Sequence, residues 1–272
     1  MPTVKSTDGT SIGHARSGHG PPLVLVHGIS ADRSRWAPVL ADLESTYTVH
    51  ALDRRGRGLS GDGASYALER EFEDVAALVD AIGEPTYLLG HSYGGLCALH
   101  AMLLTKHVET LVVYEPYAPV AAAKEPSAAT LRYEALAAAG ERDAVVATFL
   151  REVVQMTEDE VRAMRADPSW AARLAAAHTI PRELRAAESF HFEPERFRLS
   201  RVPVTMLVGS DSPAFLVDAT ARVHAAVPGS RIVVLPGQKH AAMSTAPGLF
   251  VDEVRAAFSG GACAGGGASA RR

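Results

Sequence analysis

Two cysteines in 272 residues exclude a disulfide framework. Cys97 stands in an apolar stretch and reads as a small buried side chain, while Cys263 falls in a Gly- and Ala-rich tail. Long apolar runs are also missing. No stretch approaches the roughly 18 apolar residues of a membrane span, and the opening "MPTVKSTDGTSIGHA" lacks the apolar core of a signal peptide. These absences lead to the expectation of a cytoplasmic protein with no membrane partner. Basic runs are absent too, and the formal net charge is −4, so phosphate-backbone binding, and with it nucleic acid, is not expected. No set of His, Cys, Asp and Glu has zinc-ligand spacing, so neither a metal nor another cofactor is assigned. What remains is a small-molecule substrate as the partner, with the oligomeric state open.

Hydrophobic content of 47% and charged content of 21% are ordinary globular values, and the length fits one large α/β domain, with or without an insertion. Residues 3–7 and 10–16 read as a hairpin around Asp8-Gly9. "PLVLVHG" (22–28) is a continuous apolar run, the mark of a strand covered on both faces. Further strands are expected at 47–52, 86–90, 109–116, 202–209 and 230–237, alternating with helices near 34–44, 68–82, 213–226 and 247–258. That alternation implies a mostly parallel sheet wound by right-handed crossovers. Residues 120–200 differ in texture, being rich in Ala, Arg and Glu with helical periodicity and no strand-like run. A capping-box sequence, "TEDE", and an N-cap followed by proline, "DPSW", mark helix starts there. An inserted helical cap of four or five helices is expected over 120–200, with 1–119 and 201–258 as the core. Residues 259–272 have almost nothing to bury and read as a disordered tail.

"YLLGHSYGGLCALH" (87–100) starts as a strand and ends as a helix, with Gly90, Gly94 and Gly95 crowding Ser92 at the join. Glycine costs entropy in either element, so this density requires a steric reason. A turn so tight that strand and helix nearly touch supplies one, and it leaves Ser92 at the apex in a G-x-S-x-G arrangement. A nucleophilic serine then needs a base, an acid behind the base, and donors for the oxyanion. Polar residues do stand at successive strand ends: His27, Asp53, Ser92, Glu115, Asp211 and, beyond the last strand, His240.

With "LVLVHGIS", "LDRRGRGLS", "LLGHSYGG", "LVGSD" and "LPGQKH" in order, the chain resembles the α/β-hydrolase superfamily from end to end apart from the tail. It is most similar to the capped esterase and lactonase-like branch that also holds cofactor-free haloperoxidases. The resemblance implies an eight-stranded, mostly parallel sheet with helices on both faces. It implies Ser92 as nucleophile, the backbone N–H groups of Ile29 and Tyr93 as oxyanion donors, and His240 as general base. His27 and His91 read as loop-holding residues, and Asp53 as the residue that ties the arginines and backbone of its loop together. The acid has two candidates. Asp211 is in the expected loop but stands two residues after Gly209 where three are usual, the third being Ser212, and Glu115 at the end of the strand after the nucleophile is the rival. A serine cannot run the displacement chemistry of the aspartate-dependent epoxide hydrolases and dehalogenases, so ester or lactone hydrolysis through an acyl-enzyme leads. A non-catalytic ligand-binding receptor, or a lyase or cyclase using His240 as base without an acyl-enzyme, are the alternatives. Phe149, Met156, Trp170 and Phe190 are the large apolar candidates for lining the substrate pocket.

Overall fold

In a computed structural model, which describes residues 2–119 and 122–262, the apolar runs become the strands of one sheet. The strands are β1 (Thr3–Lys5), β2 (Ser11–Gly18), β3 (Pro22–Val26), β4 (Thr48–Leu52), β5 (Thr86–His91), β6 (Val108–Tyr114), β7 (Val204–Gly209) and β8 (Arg231–Leu235). They form one sheet in the order β1-β2-β4-β3-β5-β6-β7-β8. The pairings of β2 with β1 and β4 are antiparallel and the remaining five are parallel. β3, β4 and β7 are buried at every residue, as a strand covered on both faces must be.

Alternate residues of each strand enter opposite layers. Leu23 and Leu25 of β3 pack with Leu89, Val112 and Leu207 on one side, under α1 (Ala37–Glu44). Val24 and Val26 pack with Leu88, Val113 and Met206 on the other, under α2 (Leu68–Ile82) and α3 (Tyr93–Ala101). Five helices follow β6: α4 (Ala128–Ala138), α5 (Arg142–Glu152), α6 (Glu158–Ala166), α7 (Ser169–Ala175) and α8 (Thr179–Ser189). The capping box read at Thr157 is formed with both of its hydrogen bonds. These helices share a core of their own, built on Tyr133, Val146, Phe149, Leu150, Trp170 and Ile180. After β7 come α9 (Ala214–Ala226), the short α10 (Ala242–Thr245) and α11 (Pro247–Ala262).

The last helix runs four residues past the expected start of the tail: 259–262 are helical, because Phe250, Val254 and Phe258 anchor α11 on the sheet and the helix continues beyond them. The rest of the expected tail, including Cys263, lies outside the described residues. Among the described residues no helix is long and apolar enough to cross a membrane.

Candidate active site

Ser92 occupies the turn between β5 and α3 with φ 57° and ψ −123°, a conformation costing a residue with a side chain roughly 1–3 kcal/mol. Its surroundings hold it there. Ser92 N–H donates to Tyr114 O at 2.9 Å, and its carbonyl accepts from Gly95, Leu96 and Tyr117 N–H at 2.8, 3.2 and 3.1 Å. The glycines around it are required by close approach. A Cβ at Gly94 would lie 2.4 Å from the carbonyl oxygens of Val26 and His27, and one at Gly90 would lie 2.6 Å from Gly94 O. Ser92 makes no side-chain capping bond to α3, so its hydroxyl is not occupied in holding the helix. That hydroxyl sits at a helix N-terminus, where developing negative charge is favoured.

His240 stands in the loop between β8 and α10, and its Nδ1 meets Glu115 Oε2 at 2.5 Å. Glu115 is fully buried, with φ 45°. Its other oxygen accepts from Gly209 N–H at 2.8 Å and from the Ser212 hydroxyl. Asp211, the acid first in line from the sequence, does not join them. It is exposed, its Oδ1 accepts from its neighbour Ser210 at 2.7 Å, and its backbone N–H donates to Gln238 O. The reason is the loop length noted above: the third residue after Gly209, Ser212, is the one that turns inward, and it donates to Glu115.

The histidine loop is tied down from beneath. His91 Nε2 meets His240 O at 3.0 Å, and since a carbonyl only accepts, Nε2 is the protonated nitrogen; among the described residues its buried Nδ1 has no partner. Burial, then the neighbouring His240, hold the His91 pKa well below the ordinary value and keep the ring neutral. The Tyr114 hydroxyl donates to Lys239 O and accepts from Ala242 N–H. Tyr114 was not singled out from the sequence, where it looks like one more apolar strand residue.

The loop after β3 passes directly against the serine, since a Cβ at Gly28 would stand 3.0 Å from Ser92 Cβ. Side chains hold the loop's carbonyls. His27 Nε2 accepts from Arg54 N–H at 3.2 Å, so Nδ1 carries the proton and donates to Gly28 O at 2.9 Å. Arg57 Nη1 reaches Ala31 O at 3.2 Å. Asp53 accepts from Arg33 N–H and Leu59 N–H at 2.9 and 2.8 Å and pairs with the Arg33 guanidinium, so it ties Arg33 and not the arginines that follow it. Those engage acids elsewhere: Arg54 grips Glu71 through two bonds of 2.9 and 2.7 Å and lies 3.2 Å from Glu183 of α8, which Arg57 also pairs.

A cavity of about 230 Å³ opens onto Ser92, Tyr93, Ile29 and His240. Its walls are Tyr117, Phe149, Val153, Val154, Leu184, Ala187, Phe215 and Leu216, with one carboxylate, Glu188. Of the four apolar residues proposed as pocket walls, Phe149 lines it. Trp170 and Met156 pack into the core of the inserted helices, and Phe190 packs against Phe72 and His100 over α2 and α3. Val153, Val154, Leu184, Phe215 and Leu216 were missed, because helical periodicity marks an apolar face without saying which core it meets. Among the described residues no group of three or more His, Cys, Asp or Glu is placed to hold a metal ion.

Known proteins match the chain along nearly its whole length. A sequence model described as "Alpha/beta hydrolase family" matches residues 23–253. The crystal structure of an alpha/beta hydrolase from Sphaerobacter thermophilus is 35% identical, covers 94% of this chain and all of that one, and superposes with a TM-score of 0.81. The esterase RhEst1 from Rhodococcus is 27% identical with a TM-score of 0.72, covering 95% of this chain and 98% of its own. A Shigella flexneri protein named "Putative carbamate hydrolase RutD" is 27% identical over 236 residues, 85% of this chain and 88% of that protein. With a strained serine between β5 and α3, a histidine after β8 and a family match spanning the sheet, the chain belongs to the alpha/beta hydrolase family and is a hydrolase.

Proposed function

We propose that the protein hydrolyses a carboxylic ester or lactone of a small, largely apolar substrate through an acyl-enzyme on Ser92. The observation that carries this reading is the convergence of three elements. Ser92 and His240 face one apolar cavity, and the buried carboxylate of Glu115 takes the His240 Nδ1 bond. With Nδ1 so engaged, Nε2 is the nitrogen left to serve the serine.

Ser92 Oγ attacks the acyl carbon while His240 removes its proton, and the carbonyl electrons move onto oxygen. The backbone N–H groups of Tyr93 and Ile29 receive that oxyanion. The Glu115 carboxylate stabilises the imidazolium without itself taking the proton. Collapse breaks the acyl–oxygen bond, and His240 returns the proton to the departing alcohol. A water, deprotonated by His240, then releases the acid and restores Ser92. We read the helices of residues 120–200 as a cap over this site, with Phe149, Val153, Val154 and Leu184 as its contribution to the pocket wall. The cavity is smaller than the roughly 300–1,000 Å³ of drug-sized sites, which favours short acyl or alcohol groups. The names of the esterase and of the carbamate hydrolase relative agree with acyl transfer.

Ser92→Ala should lower kcat by roughly 10³-fold or more on whichever ester, lactone or carbamate the wild type cleaves best. The variant should fold normally and lose labelling by a small fluorophosphonate. Turnover near wild type from pure, unlabelled Ser92→Ala protein would overturn the serine mechanism. A carbamate that outcompetes every ester in the panel would replace the ester assignment.

A further inference from the structure

Arg173, on α7, is buried to 7% exposure, and among the described residues it forms no ion pair. A buried guanidinium without a counter-ion is costly, and burial pulls its pKa down from the usual value, with only distant help from Asp32 and Asp167. Its hydrogen bonds go to one residue 143 positions earlier. Arg173 Nη1 donates to Ser30 O at 2.6 Å and to Ser30 Oγ at 3.0 Å. Ser30 follows Ile29 and has φ 59°, a left-handed conformation that a residue with a side chain keeps only when its surroundings hold it.

We propose that Arg173 is a positioning residue that reaches from the inserted helices to Ser30 and fixes the loop segment directly after the Ile29 oxyanion donor. This rests on the acyl-transfer reading above, in which Ile29 N–H receives the oxyanion.

The remaining ties of this loop all come from the sheet side. Gly28 O is held by His27 and Ala31 O by Arg57. Ser30 O lies between them, and Arg173 is its side-chain partner. The Ile29 N–H belongs to the Gly28–Ile29 peptide, which His27 holds at Gly28 O on one side. Release of Ser30 would let its left-handed backbone relax on the other side and turn the Ile29 N–H away from where the oxyanion forms. Substrate already bound in the ground state is held mainly by apolar walls, which Arg173 does not supply. The loss therefore falls on the transition state. The same clamp makes activity depend on the docking of α7: the oxyanion site is complete only when the inserted helices are seated. Glu183 of α8 pairs Arg54 and Arg57 in the buried interface that seats them.

Arg173→Met should reduce kcat by roughly tenfold to a hundredfold, the scale for a misplaced catalytic donor, with KM within about threefold of wild type. Inactivation by a small phosphonate, whose tetrahedral adduct needs the same donors, should slow in parallel. Arg173→Lys, which keeps a cationic donor on a long stem, should recover part of the loss. If the Met variant is insoluble, Arg173→Gln, two bonds short of Ser30, carries the same expectation. A folded Met or Gln variant with wild-type kcat and a merely lower Tm would overturn the proposal, since that is what a purely structural arginine gives. A wild type that neither labels at Ser92 nor turns over esters would instead refute the acyl-transfer reading, before any variant is compared.

Discussion

At the scale of single residues, two carboxylates compete for one role, and their surroundings separate them. Glu115 is fully buried with three donors on its two oxygens, while Asp211 is exposed beside Ser210. Glu115→Gln keeps the shape but offers His240 the wrong hydrogen-bonding partner, as amide substitution of a triad acid does. It should lower kcat by roughly 10²–10⁴-fold on the best substrate. Asp211→Asn should leave kcat within about twofold. The reverse ranking in steady-state kinetics would return the acid's role to Asp211. Ser212 offers a finer test, because its hydroxyl donates to the Glu115 oxygen that does not touch His240. Removing one such bond as Ser212→Ala is worth about 1–3 kcal/mol, since the acceptor is charged and buried. A several-fold fall in kcat with unchanged KM is expected, and no change would mean that Gly209 N–H alone orients the acid.

At the scale of elements, the turn after β5 was legible because its sequence signal is local. Three glycines and a serine within six residues, between a strand pattern and a helix pattern, announce a tight turn before any long-range contact is known. Gly94→Val should therefore fail at the level of folding. The new side chain would press on the Val26 and His27 carbonyls, 2.4 Å from the first added atom, and neither can move without opening β3. Soluble, active Gly94→Val protein, judged by its melting curve, would mean that the turn is built otherwise. The acid was less legible because its place depends on two strands far apart in sequence. Glu115 meets Gly209 and Ser212 only through the β6–β7 pairing of Tyr114 with Leu207. The pocket walls were hardest to read. Trp170, Met156 and Phe149 all look like cores of amphipathic helices, and which of them turns toward Ser92 is decided by how five helices pack on one another. Phe149→Ala should change the ratio of kcat/KM between short and long acyl chains by roughly tenfold, the scale of a methylene or two. Trp170→Ala should lower stability and leave that ratio alone. Equal effects of the two on chain-length preference would remove the distinction between wall and core.

At the scale of the whole molecule, the sheet and its helices bury an unusual set of neutral histidines, and acid should find them. His27, His50, His91 and His100 all have pKa values held below the ordinary one, burial being the largest cause in each, with His50 at about 4 and His100 at about 3. The unfolded chain protonates these rings near pH 6.5, whereas the folded protein resists until far lower. As pH falls below about 6.5 the unfolded state therefore binds more protons, and stability is lost until each folded pKa is reached. Above that window the effect vanishes. The loss is on the order of 1 kcal/mol per pH unit for each such ring. Carboxylates that gain from ion pairs, such as Glu71 beside Arg54, act in the same direction but only nearer pH 4. His100 isolates the histidine contribution. Its ring stacks on Phe72 at 4.5 Å with Phe190 and Phe197 edge-on at 5.2 Å, and among the described residues neither ring nitrogen has a partner. His100→Phe removes two unmet polar atoms and one proton-binding site from an apolar box. The variant should be at least as stable as wild type at pH 7.5, and its advantage should widen steadily between pH 6.5 and pH 5 when unfolding is followed by urea titration. An advantage independent of pH would show that His100 does not titrate on unfolding, and a variant less stable throughout would show that the phenyl ring does not fit.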